Sequence, residues 1–220
     1  PGKVFSGEVY SSSGELCELS VRHKGSAEHV PRPPDAPPGR VIPGHLLYVG
    51  ELFEHFGHDI LELTGHLWPL LERPFDGVIG QPWRQESSAA QTILNSTIHE
   101  VMKAFGVTPD RIHVAARDAP VEAERLTVPE GAFMMGRGAM TILARCYERV
   151  ARFHGNVFIP GQPRQILLSR SRWRGAARSA NQSHLEALAK RMGMVSMHSQ
   201  ELPFAAQVSL MRGARVVAGL

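Results

Sequence analysis

Cysteine is scarce: the 220 residues hold two, Cys17 and Cys146. Two thiols cannot build a disulfide framework or a four-ligand zinc site, and they are expected to be free thiols of a reducing compartment. Long apolar runs are missing as well. None approaches the roughly 18 residues that cross a bilayer, so no membrane span is expected. The sequence opens on Pro1 rather than Met and shows no signal peptide, so an upstream piece is expected to be missing. Aromatic residues supply only 7%, and no Lys/Arg run, stacking pattern or zinc-finger spacing points to nucleic acid. Neither G-x-x-x-x-G-K-[ST] nor G-x-G-x-x-G occurs, which removes the main support for P-loop and Rossmann dinucleotide classes. Without a G-x-S-x-G elbow, a serine hydrolase lacks its nucleophile turn.

What is present has the composition of an ordinary folded chain, with 43% hydrophobic and 20% charged residues, which excludes disorder and collagen-like or coiled-coil architectures. The length suits one large domain or two halves of roughly a hundred residues each. Net charge is only +3, yet it is unevenly spread. Residues 161–220 carry nine Lys or Arg against Glu186 and Glu201, a net of +7 that leaves −4 for the first 160. An acidic segment followed by a basic one implies an anionic ligand held by the C-terminal part. A phosphorylated small molecule fits a compact basic cluster better than nucleic acid does.

The first 40 residues are rich in turn formers, with Ser11-Ser12-Ser13-Gly14 and then Pro31, Pro33, Pro34, Pro37 and Pro38. Short strands at 4–10 and 18–22, then an extended connector, are expected there. From Val41 onward, β-type runs alternate with helical stretches. Strands are expected at 46–49, 77–80, 111–116, 165–169, 194–197 and 215–218, and helices at 52–72, 88–105, 138–153, 184–192 and 204–212. Such alternation predicts parallel sheets covered on both faces, an α/β fold. Ser183 and Glu186 have the spacing of a capping box opening a helix, Gly193 closes that helix after Lys190-Arg191, and Pro203 suits a first helical turn. The charge shift at Pro160-Gly161-Gln162-Pro163 places a boundary near 160, giving segments 1–40, 41–160 and 161–220. The final run, Val216-Val217-Ala218-Gly219-Leu220, reads as a strand handing over to a ligand-binding loop, so the third segment is expected to be incomplete.

Residues 54–66, E-H-F-G-H-D-I-L-E-L-T-G-H, carry the strongest chemical signal. At about 100° per residue, His58, Asp59, Glu62 and His66 fall within roughly 60° of His55, beside an apolar stripe that includes Leu52, Phe56, Ile60, Leu63 and Leu67. A solvated face beside a core face accounts for that pattern. A metal site does not: there is no H-E-x-x-H, and His55 and His66 lie about 16 Å apart along the axis. The third reading is an acid/base group at a cleft, since a carboxylate (Glu62 or Asp59) beside a histidine can be tuned to accept a proton. Gly57 and Gly65, each costing roughly 1 kcal/mol against Ala in a helix, point to close approach by a ligand or another backbone.

In the basic part, strand 165–169 runs into S-R-S-R-W-R-G-A-A-R-S-A-N, placing Arg170, Arg172, Arg174 and Arg178 between a strand and a helix. Guanidinium groups fork onto phosphate oxygens, and a helix N-terminus adds backbone donors. The segment therefore reads as a pyrophosphate clamp, with Ser169 and Ser179 as further donors; the plain alternative is a solvated basic loop. The β–α junction favours the clamp, because open α/β sheets bind ligands at the carboxyl ends of their strands.

Together these segments resemble the family-61 glycosyltransferases, a group often labelled capsular polysaccharide biosynthesis proteins. The family's first motif, N-x-[GY]-H-x-x-x-[DE], is matched by His58 and Glu62, with Phe56-Gly57 before them and Leu67-Trp68 after. Its second is a strand ending in S-R, a later R, and N-E opening a helix. Ser169, Arg170, Arg178 and Asn181 match it, while Gln182 stands where the family has the acid. Phe204 and Gln207 echo a third element, and Ala214, Val216, Val217 and Gly219 follow the start of A-x-x-[IV]-[IV]-G-x-H-G-[AS]. The resemblance covers about residues 41–220.

This resemblance implies a GT-B-like enzyme of two Rossmann-type parallel-sheet domains with the active site between them: an acceptor-side domain at 41–160 and the start of a donor-binding domain at 161–220. The implied reaction is inverting, metal-independent and free of cofactors. A hexosyl or pentosyl group passes from a nucleotide-sugar donor to a hydroxyl of a glycan acceptor, in bacterial surface or capsular polysaccharide synthesis. One base must take the acceptor proton, and the resemblance points to Glu62 or Asp59 with His58 positioning. Arg170 and Arg178 would hold the donor diphosphate, with Ser169, Asn181 and Gln207 lining that site and Arg172 and Arg174 as solvated neighbours. This stretch alone is expected to be inactive, and free thiols without an export signal favour the cytoplasmic face. A non-catalytic nucleotide- or sugar-binding protein and a His/carboxylate hydrolase are the competing readings.

Overall fold

The computed structural model describes residues 8–21, 37–52, 56–82, 97–115, 120–134, 138–157, 159–172 and 181–219. Strand β1 (Arg40–Leu52) forms from two β-favouring runs, Val41-Ile42 and Leu46-Leu47-Tyr48-Val49. The second run is buried throughout, as a strand covered on both faces must be. Between the runs, Pro43 cannot donate to a ladder and Gly44 adopts φ +87°, so the register against β4 (Val121–Thr127) slips between Ile42 and His45. Carboxylates take the freed donors: Gly44 N–H donates to Glu124 Oε2 (2.8 Å) and His45 N–H to Asp76 Oδ2 (2.6 Å). A Cβ on Gly44 would sit 2.7 Å from Asp76 Oδ2. Gly44→Ala is therefore expected to destabilise the fold by about 2 kcal/mol, through left-handed strain and a displaced carboxylate. Denaturant unfolding measures this, and an unchanged midpoint would show that the bulge relaxes freely.

With β2 (Gly77–Pro82) and β3 (Ile112–Val114), these strands make a parallel sheet in the order β3-β2-β1-β4. The order reverses between β1 and β4, so their carboxyl ends flank the switch point at which such sheets bind ligands. The sequence pattern does not announce β4. V-E-A-E-R-L-T exposes Glu122, Glu124 and Arg125 between half-buried apolar residues, as an edge strand does. Ile42, Leu46, Tyr48 and Ile79 form a buried cluster with Val9, Val121 and Leu126 packed against it. Leu47, Val49 and Val78, pointing the other way by strand alternation, are also fully buried.

The helix expected over 52–72 is corrected by the structure. Leu52 ends β1, and the stretch beyond it is α1 (Phe56–His58), a π-helical turn (Asp59–Leu63), α2 (Thr64–His66) and a 3-10 turn (Trp68–Leu71). Pro69 has no amide proton to continue an α-helix, and the tighter turn follows. The strand expected at 18–22 is likewise a 3-10 turn (Glu18–Ser20), and the nearby pairing is one antiparallel bridge, Tyr10 to Leu16. There the Ser20 hydroxyl donates to Cys17 O (2.6 Å) and accepts from Val9 N–H (2.8 Å), offering the backbone an alternative to a ladder. Helix α3 (Thr97–Ala104) buries Ile98, Val101 and Met102 and runs into Gly106 at φ +77°; residues 88–96 of the expected helix lie outside the described residues. A small hairpin of β5 (Phe133–Met134) and β6 (Gly138–Ala139) precedes α4 (Ile142–His154). That helix starts later than position 138, since Gly138 has φ +122°.

The chain divides into two compact units, Pro1–Arg149 and Val150–Leu220. In the second, β7 (Gln165–Leu168), β8 (Val195–Met197) and β9 (Val216–Gly219) form a parallel sheet ordered β8-β7-β9. Helix α5 (Gln182–Arg191) connects β7 to β8, and α6 (Phe204–Gly213) connects β8 to β9. The α/β class with parallel sheets thus holds in both units. The expected capping box does not: α5 has Asn181 at its N-cap position and begins at Gln182, so Ser183 is already helical, and Glu186 bonds elsewhere. Among the described residues no helix is long and apolar enough to cross a membrane.

Candidate active site

The 56–66 stretch follows the carboxyl end of β1, at the switch edge of the first sheet. Its π turn changes which side chains share a face. Hydrogen bonds of the i→i+5 type take more residues per turn than an α-helix, so the α-helical wheel that grouped His58, Asp59 and Glu62 fails at Asp59. That side chain is 1% exposed and buried like Leu63, whereas the His58 and Glu62 side chains keep 30% and 15% exposure. His58 Nδ1–H donates to Glu62 Oε1 at 2.6 Å. One turn on, His66 Nδ1–H donates to the Glu62 carbonyl at 2.8 Å, which assigns Nε2 as the basic nitrogen of the neutral ring.

The His66 ring lies beside two glycines: a Cβ on Gly50 would come within 3.6 Å of it and one on Gly131 within 3.3 Å. Gly65 answers to close approach by backbone, as one of the two expected causes. Ala132 N–H donates to its carbonyl at 2.9 Å, and a Cβ there would stand 3.1 Å from Phe133 N. Trp68 Nε1–H to Glu130 O (3.0 Å) and Tyr147 O–H to Ile60 O (3.3 Å) pin the stretch further.

In the second unit the chain leaves β7 through Ser169-Arg170-Ser171, with Ser169 N–H donating to Met197 O at 2.8 Å. Burial alternates: Ser169 is buried, Arg170 exposed and Ser171 half-buried. Both serine hydroxyls donate to Glu186 Oε1, that of Ser171 at 2.6 Å. Ser169 Oγ in turn accepts from Gln182 Nε2 and from Ser171 N–H, each at 3.1 Å. The Ser169 hydroxyl, followed by that of Ser171, holds the Glu186 carboxyl below its ordinary pKa. His198 and Arg172 reinforce this electrostatically while burial opposes it.

Of the other residues singled out from sequence, Asn181 occupies the N-cap position of α5 without a side-chain capping hydrogen bond and is exposed. Gln207 lies in the first turn of α6, where Nε2 donates to Leu202 O at 2.9 Å and Oε1 is buried. Arg170, Asn181 and Gln207 therefore belong to the segments that follow strand ends or open helices, the ligand-binding edge of a parallel sheet. Arg172 is bound to Glu201 at 3.0 Å, both side chains exposed. Arg174, Arg178 and Ser179 lie outside the described residues.

One side chain of the second cluster, Glu186, is given only a capping role by the sequence pattern. Glu186 carried a signal in its i,i+4 spacing from Gln182, which puts both on one helix face, but the string Ser183-x-x-Glu186 imitates a cap. Among the described residues no three His, Cys, Asp or Glu side chains are placed to hold a metal ion. Burial pushes the Cys146 thiol up to about 11, so it is a core residue rather than a thiolate nucleophile.

A family model described as Glycosyltransferase 61 matches residues 53–220, more than half of the chain, spanning both the His58–Glu62 pair and the Ser169–Ser171 turn. No curated protein and no solved structure matches the chain.

Proposed function

The chain belongs to glycosyltransferase family 61, and on that premise we propose that it is an inverting enzyme moving a sugar from a nucleoside diphosphate donor to a glycan hydroxyl, in bacterial surface or capsular polysaccharide synthesis. The observation that carries this reading is the Ser169–Ser171 turn. At the carboxyl end of the central strand of a parallel sheet, it ties its hydroxyls to Glu186 and leaves the Arg170 guanidinium exposed. Arg170, with Arg178 from the same basic segment, meets the donor diphosphate, and Asn181 and Gln207 line its site. Fixed guanidinium groups stabilise the charge of the leaving diphosphate in the transition state. Two parallel sheets of Rossmann-type order, one per unit, support a GT-B-like architecture.

In a single displacement the acceptor oxygen bonds to the anomeric carbon from the face opposite the diphosphate, the carbon–oxygen bond to the diphosphate breaks, and the acceptor proton passes to a base. We assign that base to Glu62, which is partly open to solvent and oriented by His58, and assign Asp59 to packing. Cys17 and Cys146 are free, in keeping with a reducing, cytoplasmic setting.

The test incubates the full-length protein with uridine and guanosine diphosphate sugars and an oligosaccharide acceptor, with and without EDTA. Nucleoside diphosphate release with inverted anomeric configuration, unaffected by chelation, is the expected result. Retained configuration overturns the single displacement, and loss of turnover in EDTA overturns metal independence.

A further inference from the structure

We propose that Glu186 is a positioning residue of the donor site, one that sets the Ser169–Ser171 turn and through it the presentation of Arg170 without touching substrate. The inference rests on reading that turn as the diphosphate grip. One carboxylate oxygen receives both hydroxyls, of residues 169 and 171. Tying 169 and 171 to a single atom on α5 fixes the chain on either side of Arg170, which the turn leaves exposed between a buried and a half-buried serine. The Ser169 hydroxyl is fully used: it gives its proton to Glu186 and accepts from Gln182 and the Ser171 amide. Its role is to hold the turn, leaving ligand contact to Arg170.

An ionised carboxylate accepts both bonds and brings no proton of its own. It also places negative charge beneath an anion site, so two roles predict opposite signs. A purely electrostatic Glu186 would repel the diphosphate, and either Glu186→Ala or Glu186→Gln would tighten binding. As a positioning residue, Glu186 needs only its oxygen: Glu186→Ala weakens binding and Glu186→Gln largely preserves it.

Calorimetric titration of the full-length protein with uridine and guanosine diphosphate decides between them. Glu186→Ala is expected to bind about tenfold more weakly, from loss of the two hydrogen bonds that order the turn. Glu186→Gln should bind as the wild type does, and Ser171→Ala, which removes one bond and stays fold-neutral at a half-buried position, should move in the direction of Glu186→Ala. In an Arg170→Ala background, Glu186→Ala should add no further loss, because its effect passes through that side chain. Unchanged or tighter binding in Glu186→Ala, equal losses in the Ala and Gln variants, or a full additional loss without Arg170 each overturn the proposal. A protein in which Arg170→Ala binds like wild type instead overturns the diphosphate grip itself, an outcome read without any Glu186 variant.

Discussion

Glu62→Gln is expected to lower kcat for sugar transfer about 10²- to 10⁴-fold, the usual contribution of a positioned proton acceptor, while nucleoside diphosphate affinity stays at the wild-type value. The amide retains an oxygen that can accept the His58 Nδ1–H bond, 2.6 Å long to the native carboxylate. The π turn therefore keeps its shape while the basic oxygen is lost. Asp59→Asn isolates the rival. That side chain is buried, as is Thr64, whose hydroxyl donates to the Asp59 carbonyl at 3.3 Å, so the change should register in unfolding measurements and leave kcat near wild type. Removing the orienting partner in His58→Ala should cost about tenfold in kcat, the worth of one charge-assisted hydrogen bond. Steady-state rates at saturating donor and acceptor read all three. Should Asp59→Asn lose turnover and Glu62→Gln keep it, the base is Asp59 and exposure is a poor guide here; turnover in both would remove the proton acceptor from this turn.

The division between what sequence reveals and what it hides follows from how local each determinant is. Leu46 to Val49, Gly77 to Gly80 and Ile166 to Leu168 are short apolar runs whose burial on both faces leaves little but a central parallel strand, and these elements were legible. The edge strand β4 was not, because its half-wet alternation of Glu122, Glu124 and Arg125 resembles a loop. At the first site, His58 and Glu62 are four residues apart and meet in α- or π-type turns alike, so their pairing was readable. Asp59 was misplaced because nothing in a 3.6-residue periodicity marks where a wider turn is inserted. At the second site, Ser169 and Arg170 were flagged by their position between strand and helix, and Asn181 by its match to the family motif. Glu186 was not, because Ser183-x-x-Glu186 satisfies a local capping rule, and only tertiary structure brings the carboxylate to two hydroxyls 15 and 17 residues away.

Arg170→Ala is expected to weaken nucleoside diphosphate binding about 10- to 100-fold, equivalent to the roughly 1.5–3 kcal/mol of a hydrogen bond to a charged group. The site is chosen by geometry rather than by charge count, since the neighbouring arginine is chemically identical. Arg172 donates to Glu201 at 3.0 Å in an exposed pair, which salt and water already screen, so Arg172→Ala should bind nearly as wild type. Arg170→Lys separates fork from charge. An ammonium keeps the positive charge but cannot span two phosphate oxygens in a plane, and an intermediate loss is expected. The same comparison run with nucleoside monophosphate should show a smaller difference between wild type and Arg170→Ala, because fewer charged oxygens are left to grip. Raising ionic strength should compress the wild-type advantage without abolishing it, as bidentate hydrogen bonding outlasts long-range attraction. Equal diphosphate affinity in wild type and Arg170→Ala, or equal losses at Arg170 and Arg172, would mean that the exposed guanidinium after β7 is only part of a basic surface. The donor phosphates would then have to be met by other residues of that basic segment.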